Sequence, residues 1–183
     1  MTDKRELRAH ARRLEPPSDA ESTTVVAGIA TVLSDLPPSQ ILVYVSMPGE
    51  LPADHLVAAL ADRHRFYTTR TPEVGWLTIH DFEAARERHR FGFEQPTAEA
   101  AVVDPTVLDV VVVPGLCFDD AGGRVGWGRG YYDQLLGRAR PDVVRIGMTL
   151  ERRIVASVPM EPHDVFMTHL ATESGVRTVT GGV

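Results

Sequence analysis

Apolar residues recur at helical spacing in the first forty positions of the chain. Residues 3–14 are mostly good helix formers, and Leu7 and Leu14 lie on one narrow apolar stripe. Ser18 is a suitable cap for a second helix. The apolar stripe of that helix consists of Val25, Val26, Ile29, Val32, Leu33 and Leu36. A proline pair follows each segment, so the pattern predicts two separate helices.

From residue 40 onward the chain changes to short apolar runs rich in branched side chains, which are typical of buried strands. The predicted strands cover residues 41–45, 66–69, 76–79, 107–114, 144–148 and 166–172. Two more helices are expected, one from Pro52 to near Arg63 and one from Tyr131 to about Arg140. Residues 83–105 have only a weak pattern, so we expect much loop there.

Strands that alternate with helices predict an α/β fold in which a mostly parallel sheet is covered on both faces. No repeat, low-complexity segment or long linker divides residues 1–183, so we expect a single domain. In such sheets, ligands bind at the carboxyl ends of the strands. The strand at 107–114 ends in a proline-glycine turn, and the segment after it is therefore a candidate site.

Composition narrows the functional classes. The chain has 43% apolar residues, enough for a sizeable core, and its formal charge of −6 argues against a nucleic-acid partner. No apolar run is long enough to span a bilayer, so we expect no membrane partner. The single cysteine, Cys117, excludes an intramolecular disulfide, and the start is too polar for a secretory signal. We therefore expect a cytoplasmic protein, and we take it to be a monomer.

Residues 122–136, GGRVGWGRGYYDQLL, are the most unusual stretch of the sequence. Its alternate glycines suit neither a helix nor a central strand, but they leave several backbone N–H groups free to face one anion. Arg124 and Arg129 can each bind a phosphate group through two hydrogen bonds, and the Asp133 carboxylate can coordinate Mg²⁺. Many glycine-rich segments are only turns, so the residues alone leave phosphate binding and a plain turn equally open.

A longer pattern adds a family resemblance. Residues 113–133, VPGLCFDDAGGRVGWGRGYYD, resemble the signature of 5-formyltetrahydrofolate cyclo-ligase, also called 5,10-methenyltetrahydrofolate synthetase. Further family-like elements are KRELR at 4–8, YVSMPGE at 44–50, GFEQP at 92–96 and PMEPHD at 159–164. The likeness covers nearly the whole chain and implies a three-layer α/β/α sandwich related to Rossmann-like domains.

The same resemblance implies site residues, motif by motif. Those implied for ATP are Lys4, Arg8, Arg124, Gly126, Trp127, Gly128, Arg129, Gly130, Tyr131 and Tyr132. Within this set, the implied catalytic residues are Arg124, Arg129, Tyr131 and Tyr132. The residues implied for the folate are Val45, Glu50 and Tyr131, and those implied for Mg²⁺ are Asp133 and Asp164.

The reaction is also implied by the resemblance, with ATP and a reduced folate as substrates and Mg²⁺ as cofactor. The γ-phosphate of ATP is transferred to the formyl oxygen on N5 of 5-formyltetrahydrofolate. N10 then attacks the activated carbon, and the ring closes to 5,10-methenyltetrahydrofolate as phosphate leaves. Phosphoryl transfer depends on positioning and charge neutralisation more than on a protein nucleophile, which agrees with cationic side chains around a glycine-rich segment.

The chain departs from the family pattern at three positions. Arg153 stands where the family usually has glutamine, Gln95 where it has glutamate, and Thr168 where it has aspartate. Two alternative functions therefore stay open. A non-catalytic nucleotide- or folate-binding module predicts binding without product, and a sugar-phosphate or acyl-transfer enzyme predicts phosphate binding without ATP dependence.

Overall fold

The structure, a computed structural model, describes residues 3–90 and 92–179. Its α-helices are α1 (Lys4–Ala11), α2 (Asp19–Ser34), α3 (His55–Leu60) and α4 (Tyr131–Leu136). Its strands are β1 (Gln40–Leu42), β2 (Arg65–Arg70), β3 (Thr78–Asp81), β4 (Arg86–Arg88), β5 (Glu94–Pro96), β6 (Val110–Val113), β7 (Cys117–Asp119), β8 (Arg124–Val125), β9 (Val144–Met148), β10 (Ile154–Val155), β11 (His169–Thr172) and β12 (Gly175–Thr178). Short 3-10 helices cover Pro105–Val107 and Glu151–Arg153.

A seven-stranded sheet in the order β12-β11-β9-β6-β1-β2-β3 forms the centre of the fold. The five strands from β11 to β2 pair in parallel, whereas the edge strands β12 and β3 run antiparallel to their neighbours. Parallel strands need both faces covered, and the four valines of β6 are accordingly all buried. The prediction of a mostly parallel α/β sheet is confirmed.

Helices cover the sheet on both faces. Val25, Ile29 and Leu33 of α2 pack with α3 against one face, in a cluster that also contains alternate residues of the central strands. Leu135 and Leu136 of α4 pack against the opposite face. This helix–sheet–helix arrangement is the three-layer architecture that the resemblance implies.

Helix α1 packs elsewhere, on the small sheet formed by β10, β7 and β8. Leu7 and Ala11 are buried there against Leu116, Cys117 and Val125. Because these helix residues face inward, the adjacent Arg8 reaches the glycine-rich segment that begins at β8. The packing of α1 therefore positions the amino-terminal cations of the candidate site.

Most of residues 83–105 is loop, as expected, but the segment also contains the β4-β5 hairpin, which was not predicted. The two strands are three residues long and almost entirely polar, so they lack the apolar alternation by which a strand is recognised. Contacts with β2 hold the hairpin, including the ion pair of Arg70 with Glu87. Tertiary contacts, not local pattern, form these strands.

Several predicted boundaries also differ. Helix α1 ends at Ala11 instead of residue 14, because the next residues tighten into i→i−3 turns. Helix α4 ends at Leu136, short of Arg140. Strand β6 begins only at Val110, because a 3-10 turn precedes it. The hairpin of β7 and β8 inside the glycine-rich region was not predicted.

Candidate functional site

A cleft of about 260 Å³ opens at the carboxyl end of the parallel sheet. Tyr44, Pro114 and Thr149 line it, and each lies one or two residues beyond the end of a central strand, β1, β6 or β9. Adjacent parallel strands end at the same edge, so the loops that follow them converge. The cleft therefore lies where the predicted topology places a ligand.

Glu50 and Trp127 are joined in this cleft. The Trp127 indole Nε1–H donates to Glu50 Oε1 at 3.0 Å, and the backbone N–H of Met47 donates to Oε2 at 3.0 Å. Burial raises the pKa of Glu50, although both hydrogen bonds and the positive charge of Arg153 oppose the shift. A partly desolvated carboxylate of this kind can accept hydrogen bonds from the N–H groups of a flat heterocycle.

The glycine-rich segment connects β8 to α4 through a backbone that other residues rarely adopt. Gly128 and Gly130 have φ values of +99° and +66°. At Gly126, an added Cβ would lie 2.8 Å from an Arg124 guanidinium nitrogen. Gly128 and Gly130 are thus favoured by backbone conformation, and Gly126 leaves room for the Arg124 guanidinium.

Arg124 and Asp133 form a buried ion pair across this segment. Arg124 Nη2 donates to Asp133 Oδ2 at 2.9 Å, and the two side chains are only 6% and 14% exposed. The backbone N–H of Val165 donates to Asp133 Oδ1 at 3.3 Å. Arg124 also lies over the ring of Tyr132, 5.9 Å from its centroid.

The amino-terminal helix reaches the same region through two cations. Lys4 Nζ forms a hydrogen-bonded ion pair with Asp164 Oδ2, and Arg8 Nε donates to the backbone carbonyl of Gly126 at 2.9 Å. Burial raises the pKa of Asp164, but Lys4 and the backbone N–H of Glu161 outweigh it, so the pKa is lowered overall. The structure thus brings together residues that are 118 and 160 positions apart in sequence.

A second recess, of about 430 Å³, lies on the outer side of the segment. It is lined by Gly128, Arg129, Gly130, Asp133, Gln134 and His163. Sequence reasoning missed Gln134 and His163, although each is the direct neighbour of a predicted metal ligand. Gln134 Oε1 is buried and has no hydrogen-bond partner among the described residues.

Val45, Tyr131 and Tyr132 are half-buried and do not line the cleft. Burial raises the pKa of Tyr132, and the nearby Glu50 carboxylate adds to the shift. The Tyr132 hydroxyl lies near Thr69 without a hydrogen bond of normal geometry. The structure therefore brings the tyrosines close to the cleft but not into its wall.

The donor set predicted for Mg²⁺ consists of Asp133 and Asp164. No group of three or more His, Cys, Asp and Glu side chains that could hold a metal ion occurs in residues 3–90 and 92–179. Each Asp133 oxygen has one protein partner and keeps a second lone pair. Two carboxylates with phosphate oxygens and water are a set that Mg²⁺ accepts, so these residues fit the ion only together with a phosphorylated ligand.

Two of the three departures from the family pattern have structural partners. Gln95 is buried in β5, where it donates to Glu87 Oε1 at 3.0 Å and accepts from the backbone N–H of Thr71 at 3.2 Å. The Thr168 hydroxyl bonds to the backbone N–H and carbonyl of Arg145. Arg153, in contrast, lines the cleft.

Comparison with known proteins identifies the family to which this site belongs. The sequence profile described as the 5-formyltetrahydrofolate cyclo-ligase family matches residues 2–173. The chain belongs to this family. The match includes every position of the candidate site and confirms the resemblance found in the sequence.

Individual cyclo-ligases support the assignment. The chain is 41% identical to 5-formyltetrahydrofolate cyclo-ligase of Mycolicibacterium smegmatis over 64 residues, which are 35% of this chain and 33% of that one. It is 23% identical to the Saccharomyces cerevisiae cyclo-ligase over 96% of this chain and 97% of the yeast protein. The solved structure of Aquifex aeolicus 5,10-methenyltetrahydrofolate synthetase superposes with a TM-score of 0.77 at 25% identity, covering 98% of this chain and 94% of the other.

Proposed function

We propose that the protein converts 5-formyltetrahydrofolate to 5,10-methenyltetrahydrofolate in a reaction that consumes ATP and requires Mg²⁺. Support comes first from membership of the cyclo-ligase family and from the names of full-length relatives. The two alternatives, a binding module and a transferase that does not use ATP, gain no comparable support.

One observation carries the proposal for this chain. Trp127 belongs to the glycine-rich segment, yet its indole donates to Glu50 in the cleft. A group bound along the segment and a heterocycle bound in the cleft would therefore be neighbours. A reaction between a nucleotide phosphate and a folate formyl group needs that adjacency.

On the nucleotide side, we infer that the backbone N–H groups of Gly126, Gly128 and Gly130 face the phosphates. Lys4, Arg8, Arg124 and Arg129 supply positive charge around them. The ion pairs of Lys4 and Arg124 support this role, because each cation is held in place before any ligand binds. Preorganised charge stabilises a transition state without reorganisation at the moment of transfer.

On the folate side, we infer that Glu50 accepts hydrogen bonds from the pteridine. Val45 would contribute its backbone, and Tyr131 and Tyr132 would border the space between the two substrates. Tyr44 and the apolar residues of the cleft provide walls that exclude water from the reacting atoms. A dry site strengthens the contacts with the transferring phosphoryl group.

The proposed chemistry follows from this arrangement. The formyl oxygen attacks the γ-phosphorus, so that a P–O bond forms and ADP leaves. N10 then attacks the formyl carbon and loses its proton to solvent, and the C–O bond breaks as phosphate departs. Mg²⁺ bound by Asp133 and Asp164 would neutralise charge on the phosphate oxygens.

We also propose that residues 1–183 form one domain that acts as a cytoplasmic monomer. The continuous sheet, which draws strands from β1 through β12, supports a single domain. Among the residues that the structure describes, no helix is long and apolar enough to cross a bilayer. The location and the monomeric state stay predictions.

The test is to count products. Purified protein is mixed with 5-formyltetrahydrofolate and MgATP, and the methenyl product, ADP and phosphate are quantified. We expect equal amounts of the three and no product without ATP. Binding of both ligands by calorimetry with no product would support the binding module instead. Product formed without ATP would support the transferase.

A further inference from the structure

Arg153 lines the folate cleft with part of its hydrogen-bonding capacity unused. It ends the 3-10 turn that follows β9. Its Nε is inaccessible to solvent and has no partner among the described residues. Among the described residues, the Arg153 guanidinium makes one hydrogen bond, a long one of 3.5 Å from Nη2 to the carbonyl of Glu15, and it forms no ion pair.

The neighbouring Arg152 also has a buried Nε without a partner among the described residues, but the rest of its guanidinium is firmly held. Arg152 forms a hydrogen-bonded ion pair with Glu21 and donates to the carbonyl of Pro16 at 3.0 Å. It ties α2 and the preceding segment to the turn. Arg153 makes no comparable connection, so packing does not account for its guanidinium.

A buried donor without a partner is unfavourable. Burial lowers the pKa of Arg153, with the nearby charge of Arg152 adding to the shift, yet a guanidinium stays protonated in proteins. An unmade hydrogen bond of a buried charged group costs more than that of a neutral one. A ligand acceptor in the cleft can reach only the Nη groups, and there it would give the guanidinium a partner that the protein does not supply.

Glu50 lines the same cleft and supplies the complementary group. The Glu50 carboxylate and the Arg153 guanidinium influence each other electrostatically but form no ion pair, so a space separates them. The Glu50 carboxylate accepts hydrogen bonds and the Arg153 guanidinium donates them. Together they complement a heterocycle edge that carries N–H groups next to a carbonyl oxygen. The 2-amino-4-oxopyrimidine half of a reduced folate has this edge.

We propose that Arg153 recognises the 4-oxo group of the pteridine while Glu50 accepts from its N3 and 2-amino hydrogens. This inference rests on the proposed folate substrate and adds a specificity residue to it. The glutamine that the family usually has at this position can present either an N–H or a carbonyl oxygen. A guanidinium only donates, so this chain should discriminate strongly against a 4-amino pteridine.

The test measures dissociation constants by calorimetry for 5-formyltetrahydrofolate and its 4-amino-4-deoxy analogue. The proteins are the wild type, Arg153→Leu, Arg153→Gln and the control Arg152→Gln, with thermal unfolding to check the fold. The analogue also lacks the N3 hydrogen, but that loss is common to all variants and cancels when the affinity ratios are compared.

We expect the wild type and Arg152→Gln to prefer the 4-oxo ligand at least tenfold. Arg153→Leu should lose at least tenfold in affinity for that ligand only, and Arg153→Gln should keep affinity but narrow the preference. An unchanged preference in Arg153→Leu and Arg153→Gln, or an equal loss for both ligands, would overturn the role of Arg153. Failure of the wild type to bind either ligand would instead overturn the proposed function and this inference with it.

Discussion

Replacing Arg124 by methionine should destabilise the protein strongly, because it strands the Asp133 carboxylate. That carboxylate is 14% exposed, and without the guanidinium only the Val165 backbone N–H remains as its partner. Removing one member of a buried pair costs about 3–5 kcal/mol. For a chain of this length, that corresponds to a fall in Tm of roughly 6–20 °C.

The chain contains a matched control, the ion pair between Arg65 and Asp81. It has the same 2.8–2.9 Å contact, but its side chains are 66% and 38% exposed. Because solvent screens an exposed pair, Arg65→Met should cost no more than about 1 kcal/mol. The double variant Arg124→Met with Asp133→Leu should recover most of the lost stability, because no uncompensated charge remains.

Urea unfolding of these variants measures the free energies, and turnover measured beside them separates stability from activity. The double variant should be folded but at least about 100-fold slower, because the loss of preorganised charge at a transition state has that effect. If Arg124→Met were no more destabilising than Arg65→Met, or if the double variant did not recover, the buried-pair reasoning would be refuted.

Three further predictions concern the rest of the site. Because the pKa of Glu50 is raised, kcat/KM for folate should fall at acid pH with a midpoint above the ordinary carboxyl value. Trp127→Phe should move that midpoint to still higher pH, because it removes a hydrogen bond to the charged carboxylate. An unchanged pH profile in this variant would contradict the assignment. Because Gly128 has a φ of +99°, Gly128→Ala should destabilise the fold by about 1–2 kcal/mol and raise the KM for ATP. Urea unfolding and steady-state kinetics measure these two effects. Because the pKa of Asp164 is lowered in the folded state, its ionisation stabilises the fold at pH values above the ordinary aspartate pKa, and this stability is lost as pH falls through the folded-state pKa. In acid unfolding, Lys4→Met should therefore lose less stability between neutral and acid pH than the wild type does. An identical loss of stability would argue against the pair.

The central layers of the fold are predictable from sequence because their signals are local. The valines of β6 and the stripe of α2 bury apolar groups in simple patterns, and both elements were found. The β4-β5 hairpin was missed because its strands are polar and depend on contacts with β2. Pattern reasoning detects elements that bury their own apolar face and fails for those held by tertiary pairing.

In the candidate site, too, local sequence features were predictable and long-range contacts were not. The glycine-rich segment was recognised by its alternate glycines and assigned a role by family resemblance, but its link to the cleft through Trp127 and Glu50 joins residues 77 positions apart. The pairing of Lys4 with Asp164 spans nearly the whole chain. No spacing rule predicts such contacts, because they arise only from tertiary packing, which for Lys4 is the packing of α1 on the small sheet.

In the proposed reaction, phosphate is transferred to the formyl oxygen where the glycine-rich segment meets the cleft. The most direct measurement uses 5-formyltetrahydrofolate labelled with ¹⁸O in the formyl group, with MgATP and the wild-type protein. Mass spectrometry of the released phosphate should show one ¹⁸O atom per methenyl product. Unlabelled phosphate, with the label found in water, would contradict phosphorylation of the formyl oxygen.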